Sequence, residues 1–303
     1  MAKLMLRTLA LLFVTALVAV GCQTWRNGGQ ADLPPPPRDA LRIATYNVHY
    51  IVLNDATGAW SRGDWERRKD PLAAAVAATG ADVIAFQEME SFQRGSDGSV
   101  NLARDHLLAE LPQYAAAADG PWETFPPTQP IFYRADRLRV VDEGWFFFSD
   151  TPDRIYSRTF DGGYPAFASW ARFTDRTTGQ SFRVVNIHTD YASYDNRAQS
   201  LALVAERIAP WQAAGETVFV TGDFNARLGS DLHAILEDRG LTFAPVEGAT
   251  YHFDRGINLF GAIDHLAYTR GVGVTGGPWV LRRQFLGEWP TDHYPVVTDV
   301  TLP

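Results

Sequence analysis

The sequence predicts an α+β fold: a four-layer sandwich in which two packed, mainly antiparallel β-sheets are flanked by helices. Two observations carry this reading. Short strand-like segments follow one another in runs broken by only a few helical stretches, and the clearest helical stretch has a single apolar stripe suited to covering a sheet. In addition, no second linker, internal repeat or low-complexity stretch interrupts residues 41–303, so one domain of about 260 residues is expected.

The N-terminus comes first because a targeting segment must be set aside before the fold is read. Lys3 and Arg7 form a short basic start, Thr8 to Val20 is an uncharged apolar run, and Ala19-Val20-Gly21-Cys22 places small residues before the one cysteine. Residues 1–22 are therefore expected to be a lipoprotein signal peptide, with lipidation at Cys22. The apolar run falls short of the roughly 20 residues of a spanning helix, which weighs against an uncleaved anchor. Gln23 after the cysteine resembles sorting to the bacterial outer membrane, so the expected location is the cell envelope, lipid-anchored. An acylated Cys22 leaves no thiol for a disulfide or a cysteine metal site. Residues 23–40 read as a tether, flexible at Asn27-Gly28-Gly29 and stiff from Pro34 to Pro37.

Within the domain, Leu41–Val48 and Asp82–Gln87 are apolar or β-branched runs, and the segment between them reads as a helix. Asp70-Pro71 suits its N-cap and first turn, with Trp65–Lys69 as an alternative earlier turn, and Gly80 suits its left-handed end. Ile131–Arg134, Leu138–Phe148, Phe167–Thr174 and Ser181–His188 read as four strands, the last two joined by a turn at Thr177-Thr178-Gly179. Leu201, Val204, Ile208 and Trp211 then share one helical face. Thr217–Thr221 reads as a strand, Asp231–Arg239 as a short helix, and Ile263–Tyr268, Trp279–Phe285 and Pro295–Thr301 as further strands.

Charge narrows the function. The formal charge of −8 becomes −10 once Lys3 and Arg7 leave, against 35 acids, and Lys69 is then the only lysine. A strongly basic surface that tracks nucleic acid by counterion release is absent.

Polar residues recur where apolar strands end: Asn47, Glu88, His188 with Asp190, Asp223 with Asn225, and Asp292 with His293, while Asp264 interrupts AIDHLAY. Isolated ionisable groups are costly to bury, but groups gathered at one rim satisfy one another. Together they have the parts that phosphate-ester hydrolysis requires. Glu88 offers hard oxygen to a magnesium-like ion. Asp223 is placed to orient or deprotonate water, with Asn225 and Asn47 as neutral contacts. His188 and His293 would stabilise phosphate oxygens or protonate the leaving group, and Asp264 would fix the tautomer of His293.

TYNV, FQE, NIHTD, GDFN, AID and TDHYPV, in that order, resemble the successive motifs of the endonuclease/exonuclease/phosphatase superfamily, over nearly the whole stretch from Leu41 to Thr301. The resemblance implies a Mg²⁺-dependent (or Mn²⁺-dependent) phosphoric ester hydrolase. It implies Glu88 as main metal ligand, with Asn47 and Asp292 beside the metal, and His188, Asp223, Asn225, Asp264 and His293 as catalytic positions. Outside that set, Asp190 is a candidate to support His188, and His49 either points at the site or lies in the following loop. One departure stands out: several relatives carry a glutamate before their equivalent of PIFYR that supports the second histidine, whereas this chain reads Pro126-Pro127-Thr128-Gln129-Pro130.

The substrate classes left open are nucleic acid, nucleotide and phospholipid headgroup. Because His188 is present, the reading favours a nuclease-like phosphodiesterase acting outside the cytoplasm over a sphingomyelinase-like enzyme or a phosphomonoesterase. A catalytically idle binding protein on the same fold is the rival of another class. A monomer held to the membrane by its N-terminal lipid is expected. Trp145–Phe148 reads as sandwich core, His265 as a structural residue on the opposite sheet face, and His106 and His233 as helix surface. A phosphate-binding role for Arg62, Arg67, Arg68 or Arg94 is the weaker reading of these loop arginines.

Overall fold

The computed structural model describes residues 2–28, 32–36, 38–93, 99–158 and 160–303; Gly29 and Pro37 of the tether, and Arg94, lie outside the described residues. In chain order the first half contains α1 (Ala2–Arg26), β1 (Leu41–Asn47), the two-residue β2 (Ile51–Val52), α2 (Arg62–Thr79), β3 (Val83–Gln87), β4 (Ser91–Phe92), α3 (Leu102–Glu110), β5 (Tyr114–Ala117) and β6 (Ile131–Arg134). The second contains β7 (Leu138–Phe147), β8 (Phe167–Asp175), β9 (Ser181–His188), α4 (Tyr194–Ala213), β10 (Thr217–Asp223), α5 (Asp231–Glu237), β11 (Leu241–Phe243), β12 (Asp264–Thr269), β13 (Gly273–Val280) and β14 (Val296–Thr301).

Two six-stranded sheets run β13-β14-β1-β3-β6-β5 and β11-β12-β10-β9-β8-β7. Each has one parallel pair at its centre, β1 with β3 and β9 with β10, among antiparallel neighbours. The alternation of side chains along each strand builds three apolar layers. Leu41, Ile43, Val83 and Val300 meet Phe173, Phe182, Val184 and Phe219 between the sheets. On the far face of the first sheet, Tyr46, Ile84 and Phe86 pack under Leu72, Val76 and Leu107. On the far face of the second, Val185, Val218 and Val220 pack under Leu201, Val204 and Ile208. The result is the expected helix, sheet, sheet, helix order. Phe146, Phe147 and Phe148 are all buried, as expected of core.

Several boundaries differ from the sequence reading. α2 starts nine residues before Pro71, capped by Ser61, whose side chain accepts from the Asp64 N–H, and Pro71 sits inside it. The earlier turn was the correct alternative, and Gly80 closes the helix in the left-handed conformation. The strand expected at Trp279–Phe285 instead lies at Gly273–Val280, broken by two register shifts against β14. Its glycines and Pro278 disguise it as a turn, and pairing with β14 supplies what local propensity withholds. His233 is buried among Phe224, Phe243 and His265 and is not helix surface.

The N-terminal helix continues past Cys22 to Arg26, and its Met5–Arg26 portion is long and apolar enough to cross a membrane, with a mean hydropathy of 2.1. The expected tether also touches the domain. The Asn27 side chain donates to the Asn258 and Phe260 carbonyls, Asp32 meets Arg283 at 2.8 Å, and Leu33 packs against the core.

Candidate active site

Six strands from the two sheets end, or begin, at or next to one rim. In the first sheet, the parallel pairing of β1 and β3 sets Asn47 opposite Gln87, with Glu88 one residue further. In the second, β10 sets Asp223 opposite His188 on one side and Asp264 on the other. His293 arrives just before β14 and bridges to Tyr251. Three of the residues at this rim, His49, Glu88 and Asn225, have positive φ, at 61°, 55° and 45°. Such backbone is uncommon outside glycine and is held here by the surrounding structure. Gly222 is required in its own right: a Cβ there would lie 1.9 Å from the Ile187 carbonyl oxygen. It therefore lets β10 deliver Asp223 beside β9.

The side chains form one connected group. Asn47 Nδ2 donates to Glu88 Oε1 at 3.0 Å and to Asp223 Oδ2 at 3.3 Å. His188 Nε2 lies 3.8 Å from Glu88 Oε1 and 3.7 Å from Asp223 Oδ2. His293 Nε2 faces the same Asp223 oxygen at 3.8 Å, while its Nδ1 is 3.0 Å from Asp264 Oδ2. The Asn225 backbone N–H donates to Asp223 Oδ1 at 2.8 Å, and the Asn225 amide is tied to the Thr189 carbonyl.

Two expected residues sit differently. Asp190 Oδ1 accepts from the N–H groups of Ala192 and Ser193, each at 2.7 Å, and so shapes the entry to α4 instead of contacting His188. His49 is buried, with Nε2 4.0 Å from Asp292 Oδ2, and its backbone N–H donates to Asn47 Oδ1. It steadies Asn47 and Asp292 from behind. Asp292 lines the cleft itself.

Burial, and then the Asp264 charge, raise the pKa of Asp223 above the ordinary carboxylate range. Burial alone would lower His293, but the Asp264 carboxylate hydrogen-bonded to it overrides this and holds the imidazole well above its usual value. Burial pulls His49 down to about 4. Burial, reinforced by neighbouring Glu88, pushes Glu90 up to about 7.

The donor set fits a divalent cation. Ligating atoms of Asp223, Asp264 and His293 lie within 4.8 Å of one another. However, the Asp264–His293 hydrogen bond occupies Nδ1 and Oδ2, so these two act better as a proton-handling pair than as ligands. Glu88, half-buried beside Asn47 and on the same cleft as Asp292, offers the hard oxygen that Mg²⁺ or Mn²⁺ prefers. The cleft wall carries Glu88, Glu90, Asp223 and Asp292 and, among the described residues, no lysine or arginine. A bound cation would offset that excess of negative charge.

The cleft has a volume of about 890 Å³. Its outer walls are aromatic, with Tyr50, Phe92, Tyr156, Tyr164, Tyr191 and Tyr251. Sequence reasoning missed these residues because they come from loops, or in the case of Phe92 from the two-residue β4, with no periodic signal. It also missed the polar ladder beneath the rim. Thr45 and Gln87 exchange hydrogen bonds, Gln87 donates to Asn186 Oδ1 at 2.7 Å, and Asn186 and Ser169 both donate to the Gln129 carbonyl, at 3.2 and 2.5 Å. Polar residues inside apolar strands (FQE, VVNI) were the available signal. Arg68 was also underrated. It is buried, and its guanidinium donates to the carbonyls of Val48, His49, Tyr50 and Pro290, so it fastens the Asn47 loop to the Asp292 loop. Arg67 instead pairs with Asp64 and Glu288.

The model of the Endonuclease/Exonuclease/phosphatase family matches residues 44–293. Among solved structures, a family protein from Bacteroides thetaiotaomicron is 24% identical, with a TM-score of 0.69 over 88% of this chain and 98% of its own. A mannosyl-6-phosphatase from the same organism is 25% identical, with a TM-score of 0.68 over 86% of this chain and 100% of its own. The human Nocturnin catalytic domain shares the fold at 16% identity, with a TM-score of 0.61 over 89% of this chain and 97% of its own. A search of curated proteins found no match.

Proposed function

Because the chain belongs to the endonuclease/exonuclease/phosphatase family, we propose that it hydrolyses phosphate esters with a divalent metal, Mg²⁺ or Mn²⁺, bound at Glu88. The observation that carries this reading is the convergence of Glu88, Asp223 and His293, from both sheets, on one acidic cleft. When bound, the cation supplies Lewis-acid polarisation of a phosphoryl oxygen. Asp223, held by Asn47 and by the Asn225 N–H, orients a water and accepts its proton, a task helped by its raised pKa. His293, kept protonated by Asp264, donates to a phosphate oxygen as charge builds there. His188, which faces the same Asp223 oxygen as His293, contacts the phosphate or the leaving oxygen.

As substrate we propose a small phosphate monoester of a hydroxylated ring, such as a sugar phosphate. The aromatic walls suit stacking against a ring, Glu90 can accept from its hydroxyls, and among the described residues the cleft has no lysine or arginine to track a nucleic-acid backbone. The likeness to a mannosyl-6-phosphatase at 25% identity supports the same class. Nuclease-like diester cleavage is the second reading, favoured by His188 standing within 4 Å of both Glu88 and Asp223. Comparing p-nitrophenyl phosphate with its bis-nitrophenyl diester under Mg²⁺ or Mn²⁺ separates the two. No turnover of either above a Glu88→Ala control would favour the idle binding protein.

We also propose that the protein works outside the cytoplasm, anchored by a lipid on Cys22, which is exposed at the end of an apolar helix. Radiolabelled palmitate should label the wild type and not Cys22→Ser. Label on both, or on neither, would discard the anchor.

A further inference from the structure

A second, smaller concavity of about 350 Å³ adjoins the catalytic cleft and shares Asn225, Tyr251 and Ile263 with it. Its chemistry is opposite. Among the described residues the main cleft has four acids and no lysine or arginine, whereas this one is lined by Arg197 and Arg227 against one acid, Asp231. Asp231 is partly engaged, accepting from the Tyr194 hydroxyl at 2.6 Å.

Neither arginine is used up in holding the fold. Among the described residues the Arg197 guanidinium makes one hydrogen bond, Nη1 to the Asp190 carbonyl at 2.8 Å, and its Nε is buried without a partner. A buried donor left unsatisfied is costly, and a guanidinium held in place with free N–H groups is prepared to receive a planar or tetrahedral anion. Arg227 is exposed, just beyond the Asp223-Phe224-Asn225 turn, and its side chain has no hydrogen bond or ion pair among the described residues. What sets the two apart is their place: they line one concavity at the edge of a catalytic cleft whose own wall is acidic. Tyr194, Tyr251 and Phe260 complete the wall, and Tyr251 lines both compartments.

We propose that this concavity is an anion subsite that holds a second phosphate of the substrate. The inference rests on the phosphatase reading above and narrows it. One phosphate is hydrolysed at Asp223 and His293, the ring lies between the aromatic walls, and Arg197 with Arg227 grips a second phosphate beyond Asn225. The enzyme then prefers a sugar bisphosphate to the matching monophosphate.

The probes are glucose 1,6-bisphosphate and glucose 6-phosphate, used on the full-length protein, Arg227→Ala and Arg197→Ala. Arg227 is exposed, so its variant folds; circular dichroism checks Arg197→Ala. Two readouts are taken: kcat/KM for each probe with Mg²⁺, and calorimetric binding of each probe in EDTA, where no turnover interferes. The bisphosphate should bind at least tenfold more tightly than the monophosphate and show the higher kcat/KM. Either variant should reduce both ratios about tenfold, mainly through KM, with added salt weakening the preference. Equal binding of the two probes, or ratios that survive Arg227→Ala, overturns the subsite even if both probes are hydrolysed. A binding preference that disappears in Arg227→Ala, without hydrolysis of either probe, supports the subsite and removes the phosphatase reading instead.

Discussion

Replacing Arg68 with methionine tests how the site is held. The change keeps an unbranched chain of similar reach above Trp65 but removes every donor of a side chain that is 2% exposed. Four carbonyls lose partners: Val48 and His49, each at 2.8 Å, Pro290 at 3.2 Å and Tyr50 at 3.3 Å. A hydrogen bond to a charged group contributes about 1.5–3 kcal/mol, but the cost of burying the guanidinium offsets much of that sum. A net destabilisation of about 3–5 kcal/mol is expected, the range for removing one partner of a buried charge pair, because Asp64, 3.3 Å from Arg68 Nε, also loses this partner. The catalytic effect is separable. The four carbonyls belong to the loops that follow Asn47 and precede Asp292, so losing the clasp lets the two halves of the site drift. A shift of about 1 Å costs about 100-fold in rate. Urea denaturation followed by circular dichroism gives the first quantity. Turnover of a nitrophenyl phosphate ester, measured where the variant is fully folded and scaled to folded protein, gives the second. A stability loss below about 1 kcal/mol, or an undiminished kcat in the folded variant, would refute the clasp.

Asp264→Asn should leave the fold intact and lower kcat by about 100-fold to 10,000-fold, since His293 loses the carboxylate at 3.0 Å that keeps it protonated. The alkaline limb of its pH–rate profile should move to lower pH; an unmoved limb argues against the pair. EDTA should abolish turnover, with Mg²⁺ or Mn²⁺ restoring it, and Glu88→Gln should raise the half-saturating metal concentration at least tenfold. An equal metal requirement in both proteins places the ion elsewhere. Acid should weaken the fold well before the acids are neutralised, because burial lowers His233 and His252 to about 3. Their folded pKa values lie below the unfolded value of about 6.5, so the unfolded chain binds the extra protons. Stability is then full above about pH 6.5 and declines as pH falls towards 3. His233→Phe, placed among Phe224 and Phe243, should flatten the decline in urea midpoint between pH 7.5 and 4.5; an identical slope counts against this assignment.

Much of this was legible in the sequence because the informative residues break strong local patterns. Asn47, Glu88, Asp223 and Asp264 stand out as polar groups at the ends of runs such as IATY and VFVTG, and a strand that ends at a rim must deliver its last side chain there. The strand at Gly273–Val280 was misplaced because glycine and proline conceal a strand whose stability comes from its partner. Asp190 was the candidate to support His188 in place of the glutamate that this chain lacks before PIFYR. Its carboxylate instead closes a local turn with Ala192 and Ser193, a competition that spacing alone does not reveal.

The amino-acid sequence by itself determined the layer order and the chemistry of the rim, because alternating burial and strand-end polarity are local and periodic. Only the tertiary structure decided which groups face one another. It set the distances among Glu88, Asp223 and His293, gave Arg68 its role as a clasp, and brought Arg197 of a helix and Arg227 of a loop to one concavity beside the cleft. Those depend on contacts between segments far apart in the chain, whose geometry is set by how two sheets pack and not by any pattern within either segment.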